Sequence, residues 1–151
     1  MNNYIALVGE KSKSDESLGY YGEQIVLEAQ ELGLNTCWVA MTHGKSKAQI
    51  DKGEKLVCLI SLGYGKTAGA AHKSKKLSEV CNYKKDMPEW FLSGMEAALL
   101  APTAMNRQKF YFELLPDNSI KITCGKGLYT KLDLGIVKYH FEVVSGKVNW
   151  R

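Results

Sequence analysis

The residues with the most chemistry to offer lie in one stretch, Ala97 to Phe112, AALLAPTAMNRQKFYF. Small side chains at its start let backbone approach a bulky planar partner. Asn106 and Gln108 each carry both a donor and an acceptor for the edge of such a partner. The combination suits a flat heteroaromatic ligand better than ordinary core packing. Read without a ligand, the same residues are a helix exit followed by a strand.

The other candidates are weaker. The most concentrated positive run, His72 to Lys76 (HKSKK), suits one phosphate group better than a length of DNA. Eighteen of the twenty basic residues are Lys, leaving Arg107 and Arg151 as the only arginines, so bidentate recognition of bases or phosphates is thinly supplied and nucleic acid is not an expected partner. Gly63-Tyr64-Gly65-Lys66-Thr67 suggests a phosphate loop but lacks the GxxxxGK[ST] spacing, and reads instead as a sharp turn. Cys37, Cys58, Cys81 and Cys124 lie more than twenty residues apart, which gives no zinc spacing. Cys37 and Cys58 sit in apolar runs and read as small buried hydrophobes, pointing to a reducing, cytoplasmic setting. His43, His72 and His140 have no supporting carboxylate or cysteine spacing, and are read as structural.

The elements that must position the central stretch follow from periodicity. At 151 residues the chain suits a single domain, 1–151, with a core of its own. Tyr4 to Val8 reads as a strand ended by Gly9. The polar run that follows argues against a signal peptide, and no apolar run is long enough to span a membrane. Glu10 to Ser17 reads as a loop. Tyr20 to Leu32 reads as a helix with Tyr21, Ile25, Ala29 and Leu32 on its inner face and Gly33 as its stop. Leu34 to Met41 fits a helix or a strand equally, and Leu56 to Leu62 is the clearest strand. Leu77, Val80 and Cys81 suggest a short amphipathic turn. Asp86 is expected to cap a second helix, with Pro88 in its first turn, Glu89 three residues after the cap, and Pro102 as its end. Phe110–Leu115 and Ile120–Cys124 flank the turn Pro116-Asp117-Asn118-Ser119 and read as an antiparallel hairpin. A last helix runs from Leu132 to Val144 despite Gly135 and stops at Gly146, leaving Lys147 to Arg151 as a tail or edge strand. The order implies an α+β fold, with helices packed on an antiparallel or mixed sheet.

Ala101-Pro102-Thr103-Ala104-Met105-Asn106-Arg107-Gln108 resembles a segment of the flavin-dependent nitroreductases, which reads Ala-Pro-Ser, then Asn, any residue, Gln-Pro-Trp. The run from Gly22 to Ile25 and on through Leu32-Gly33-Leu34-Asn35-Thr36-Cys37-Trp38 resembles the family's helix ending in LGLGTCW. Leu134 to Glu142 is similar to a late helix of the divergent thermophile-type branch. The resemblance implies FMN as cofactor, NADH or NADPH as reductant, and a nitroaromatic, quinone or similar small-molecule electron acceptor. It implies a homodimer or a completing partner chain, since that branch has two related halves and this chain resembles the later one.

On that reading Asn106 lies near the ring edge or ribityl chain with Thr103 beside it. Pro102, Ala104 and Met105 line the ring, and Gln108 completes the motif. Lys73 and Lys75, within His72–Lys76, are the nearest resemblance to the arginine-rich segment with which the family grips phosphate, and Arg107 is a further phosphate or pyrimidine contact. Two departures are plain: lysines replace arginines, and Lys109-Phe110 replaces Pro-Trp. They leave room for a second reading, a non-enzymatic interaction or assembly domain on a degenerate flavin fold.

Overall fold

In the computed structural model, which describes residues 3–13, 15–67, 69–146 and 149–151, the early apolar runs build an antiparallel sheet. Its central strand is β3 (Glu54–Gly63), flanked by β1 (Tyr4–Glu10) and β2 (Asn35–Val39) in the order β1-β3-β2. Central placement explains why Cys58, Leu59 and Ile60 are buried in succession without alternation. Strand β1 continues past Gly9, because Gly9 pairs with Lys55 and Glu10 with Glu54 beyond a bulge at Leu7/Val8. The ambiguous segment after Gly33 is extended as β2. There Cys37 is exposed instead of buried, since β2 is an edge strand and this position faces outward.

Helix α1 (Asp15–Glu31) begins earlier than the sequence suggests, so the charged stretch after Glu10 is only partly loop. The acidic first turn complements the helix dipole, and Asp15 also pairs with Lys55 at 2.7 Å. The buried face comprises Gly19, Gly22, Glu23, Val26 and Ala29, whereas Tyr21 and Leu32 are exposed. The reason is a backbone-to-backbone crossing with α4 (Thr130–Ser145): a Cβ on Gly19 would stand 2.0 Å from the Leu132 carbonyl oxygen, and one on Gly135 1.9 Å from that of Glu16. Glycines, not large apolar residues, set that face. Gly33, at φ +77°, closes α1 with bonds from its own N–H to Gln30 O (2.9 Å) and from Leu34 N–H to Ala29 O (2.9 Å).

The second half contributes α2 (Leu77–Val80), α3 (Glu89–Ala98) and the hairpin β4 (Phe110–Leu114) and β5 (Ile120–Cys124), followed by α4. Asp86 does not cap α3. Pro88 is still extended at ψ 141° and occupies the cap position, so no helical turn can include residue 86. The helix stops at Ala98, before Pro102, in tightened turns from Leu100 N–H to Ala97 O (2.9 Å) and Ala101 N–H to Ala98 O (3.3 Å). Residues 149–151 run beside β5 through Ile120 N–H to Asn149 O (2.8 Å) and Arg151 N–H to Ile120 O (2.9 Å), while Lys147 and Val148 fall outside the described residues.

Helix α4 is the spine, packed against both α1 and α3. Its Phe141 stacks on Phe112 of β4 at 5.2 Å between centroids, and lies so close to Gly94 of α3 that a Cβ there would sit 2.5 Å from the ring. Phe91, Phe112 and Phe141 are fully buried, each contributing roughly 2–3 kcal/mol. The architecture is α+β, helices on antiparallel sheets, and no helix among the described residues is long and apolar enough to cross a membrane.

Candidate functional site

Between α3 and β4 the chain reverses through residues 99–109, and this turn is held in an unfavourable backbone conformation. Met105, Asn106 and Gln108 have φ of +53°, +50° and +46°. For non-glycine residues that region costs about 1–2 kcal/mol each. The compensation is a hydrogen-bonded hub. The Gln108 side chain, 2 % exposed, donates to Lys73 O (2.8 Å) and to Asn106 Oδ1 (2.7 Å), and accepts from Lys75 N–H (2.8 Å). Its backbone N–H reaches Thr103 Oγ1 (3.0 Å), and its carbonyl accepts from Lys75 Nζ (3.0 Å). Asn106 Nδ2 donates to Lys73 O as well (2.9 Å).

The amides at 106 and 108 therefore fasten residues 73–75 onto the turn. Both are engaged by the chain itself, as is the Lys75 ammonium. Lys73 and Lys75 are brought to the same turn as Asn106 and Gln108, and among the described residues the Lys73 ammonium has no partner.

Pro102, Thr103, Ala104 and Met105 form one wall of a cleft of about 300 Å³. Trp38, Ala40 and Met41 at the end of β2, with Cys58 of β3, form the second wall. Leu128, Tyr129, Leu132, Asp133 and Ile136, at and before the start of α4, close it. The rim is apolar and open: Met41, Met105 and Leu128 are each about two-thirds exposed or more. Tyr129, which precedes α4, adds another left-handed non-glycine residue to this site, at φ +62°. A second hollow, of about 400 Å³, lies across the same turn between Ala70–His72 and Leu100, Pro102, Thr103 and Asn106. His72 adjoins it, and its Nε2 is buried without a hydrogen-bond partner.

Asp133 is the acid of the cleft. It is 6 % exposed, and its Oδ1 accepts the Ala104 N–H at 2.9 Å, which fixes the turn against α4. Burial raises its carboxyl from 3.8 to about 6, against the opposing effect of the Ala104 hydrogen bond. Among the described residues no cation pairs with it. Burial likewise pushes the Cys58 thiol up, so this cysteine is a neutral wall residue.

Behind the cleft, Trp38 Nε1 donates to Glu23 Oε2 (3.1 Å), and Glu23 Oε1 meets His140 Nε2 at 2.8 Å. Glu23 is 1 % exposed, so both of its oxygens are satisfied by this pair. His140 thus has a carboxylate after all, contributed by α1. The Trp38 ring is also clamped by Gly22, where a Cβ would approach it to 2.6 Å. Among the described residues no cluster of His, Cys, Asp or Glu could hold a metal.

The sequence reading found the turn and missed Asp133, Tyr129, Met41 and the Glu23–His140 support of Trp38. For Asp133 one local signal exists: an acid inside the apolar run Leu132–Val137 of a helix has to find a partner or a purpose.

Taken together, the layers and the cleft define a class: an α+β protein of helices on antiparallel sheets, with an apolar cleft of small-molecule size at a strained turn. A family model described as "Putative TM nitroreductase" matches residues 1–145, and the chain belongs to that family. The crystal structure of a putative nitroreductase from Thermotoga maritima superposes with a TM-score of 0.77 at 26% sequence identity, covering 93% of this chain. The chain spans 59% of the length of that relative. No curated protein matches.

Proposed function

We propose that the chain is part of an FMN-dependent oxidoreductase that passes reducing equivalents from NADH or NADPH to a nitroaromatic, quinone or similar acceptor. The observation that carries the reading is the apolar cleft against Pro102–Met105, in a chain of nitroreductase family and fold. In this reading the chain is the later of two related halves, and a second copy or a partner chain closes the site. The exposed apolar rim of Met41, Met105 and Leu128 suits such a covering surface. A cytoplasmic setting accords with four free cysteines, two of them buried.

The residues present fit the ring of the cofactor better than its tail. A cleft of about 300 Å³ is at the small end of ligand sites, enough for a fused ring system and not for the ribityl phosphate as well. Trp38 and Tyr129 offer aromatic surface, and Asp133 retains a carboxylate oxygen without a bond from the described residues. For phosphate, the chain offers the Lys73 ammonium, since that of Lys75 is bonded to Gln108 O. The rest of the phosphate grip then falls to the completing surface.

When bound, FMN supplies the hydride chemistry. The chain's own residues orient and enclose. Gln108 and Asn106 fix the turn by tying it to residues 73–75, and the Asp133–Ala104 bond locks the same turn to α4. The Glu23–His140 pair holds Trp38 by its indole N–H, which keeps one wall rigid, while Met41, Met105 and Leu132 exclude water.

Purification with saturating FMN, followed by an absorption spectrum, a solution mass and NAD(P)H oxidation with a quinone or nitroaromatic acceptor, tests this. Retained flavin and steady turnover are expected. A stable oligomer with neither flavin nor turnover would favour the second reading, a degenerate flavin-fold assembly domain. The internal engagement of Asn106, Gln108 and Lys75 is the observation on its side.

A further inference from the structure

The Asp133 carboxylate has one use inside the protein and a second oxygen left over. Oδ1 accepts the Ala104 N–H, a task that a neutral side-chain amide oxygen performs equally well. Oδ2 has no partner among the described residues, yet it is not among the buried atoms sealed off without one, so it keeps contact with solvent. The cleft is the cavity Asp133 lines. A carboxylate on a residue only 6 % exposed, with no cation beside it, is unfavourable for the fold. The helix dipole at the first turn of α4 returns only part of that cost. Around it stand Trp38, Tyr129 and Met105, which offer flat and apolar contacts and no competing ionic group.

We propose that Asp133 reads the edge of the ring held in the cleft. Its free oxygen accepts a hydrogen bond from a ring N–H, so that the site takes flat heteroaromatics presenting an imide- or amide-type N–H and rejects the same rings alkylated at that nitrogen. The inference rests on the reading of the cleft as a ring site, and adds to it the residue and the ligand atom type that decide recognition. The pyrimidine imide of a flavin is one member of that class. The raised carboxyl described above is consistent with an acceptor waiting for a donor, because a bound N–H would return the charged form to its ordinary range.

The test uses the full chain with lumiflavin, which is the flavin ring without the ribityl phosphate, and with 3-methyllumiflavin, in which the imide nitrogen is alkylated. Binding is read from quenching of flavin fluorescence above pH 7, in the wild type and in Asp133→Asn and Asp133→Ala. Lumiflavin should bind the wild type about tenfold or more tightly than its methylated counterpart, as expected for a hydrogen bond to a charged acceptor. In both variants the two ligands should bind within about twofold of each other. Equal binding of the two by the wild type would overturn the Asp133 assignment and leave the ring site standing. A preference that survives in both variants would also overturn it, since steric exclusion of the methyl group or another acceptor would then be responsible. Binding of neither ligand would remove the ring site itself, and the inference with it.

Discussion

Replacing Asp133 by Asn separates the cost of a buried charge from the hydrogen bond it makes. The amide oxygen of Asn keeps the bond to Ala104 N–H, while the charge disappears. The Asp133 carboxyl stands at about 6 in the folded chain against 3.8 for an ordinary aspartate, and burial is the main cause. Below pH 4 the side chain is protonated in both folded and unfolded chains, so charge contributes nothing. Between pH 4 and 6 the unfolded chain gives up its proton while the folded chain holds it, and each pH interval of one removes about 1.4 kcal/mol of stability. Above pH 6 the loss levels off near 3 kcal/mol, an upper bound because Oδ2 keeps some solvent contact. Asp133→Asn should therefore match the wild type at pH 4 and exceed it by about 2–3 kcal/mol at pH 8, roughly 4–10 °C in midpoint for a chain of this size. Urea unfolding of both proteins from pH 4 to 8, read as the difference between them, cancels every other titrating group. A difference that stays flat across that range, or a variant less stable at pH 8, would refute the account of Asp133 as an uncompensated buried acid.

Gln108→Ala removes an amide that makes three hydrogen bonds in a buried hub, and should cost about 2–4 kcal/mol in urea unfolding. It should also raise amide hydrogen exchange at Lys75, whose N–H loses its acceptor. Gly135→Ala places a Cβ 1.9 Å from the Glu16 carbonyl oxygen, where backbone must move, so a loss of more than about 3 kcal/mol is expected by thermal melting followed by circular dichroism. Met105→Gly should do the opposite. It relieves a left-handed φ of +53° at a residue that is 66% exposed, and should stabilise by up to about 1 kcal/mol while weakening any ring bound in the cleft. Tyr20 donates its hydroxyl to Glu142, and burial is the first cause that pushes its phenol up to about 12. Its tyrosinate absorbance should appear only well above pH 10, and stability should fall as pH rises from 10 towards 12, since the folded chain resists the charged form.

The parts of the fold legible in the sequence are those governed by near neighbours. Gly33 and Gly146 stop their helices because each is glycine at positive φ, and the Pro116–Ser119 turn closes its hairpin through Asp117 and Asn118. The central stretch was legible for a similar reason, since proline, small residues and two amides crowd into a few positions. What it does was less legible: the amides look outward in sequence, and the groups they bind lie more than thirty residues earlier, at Lys73 and Lys75. On α1, Ala29 is buried as expected but Tyr21 and Leu32 are not, because hydrophobic periodicity cannot see glycine as a contact residue, nor Glu23 as a buried one. Its partner His140 is 117 positions away. Asp86 looked like a cap by spacing alone, and lost to the fixed geometry of Pro88.

The glycines and the buried acids that periodicity overlooks lie along one mechanical path. Gly19 and Gly135 bring α1 and α4 into backbone contact, a crossing that leaves no play between the two helices. That contact sets where the start of α4 lies, and Asp133, one turn into α4, transfers the position to Ala104 through a single hydrogen bond. From Ala104 it passes to a turn already strained at Met105, Asn106 and Gln108, which would relax if its anchor moved. On the opposite wall the same two helices hold Trp38, through Glu23 of α1 and His140 of α4. Both walls of the cleft are thus tied to one glycine-lined crossing, in addition to the hub that fastens the turn to residues 73–75. Loosening the crossing should then widen the distribution of cleft geometries before it unfolds the chain. Gly19→Ala, if it folds, should show a broadened Trp38 indole N–H resonance while β4 and β5 keep theirs. A sharp indole signal in a folded Gly19→Ala would show that the wall is held by something other than the crossing.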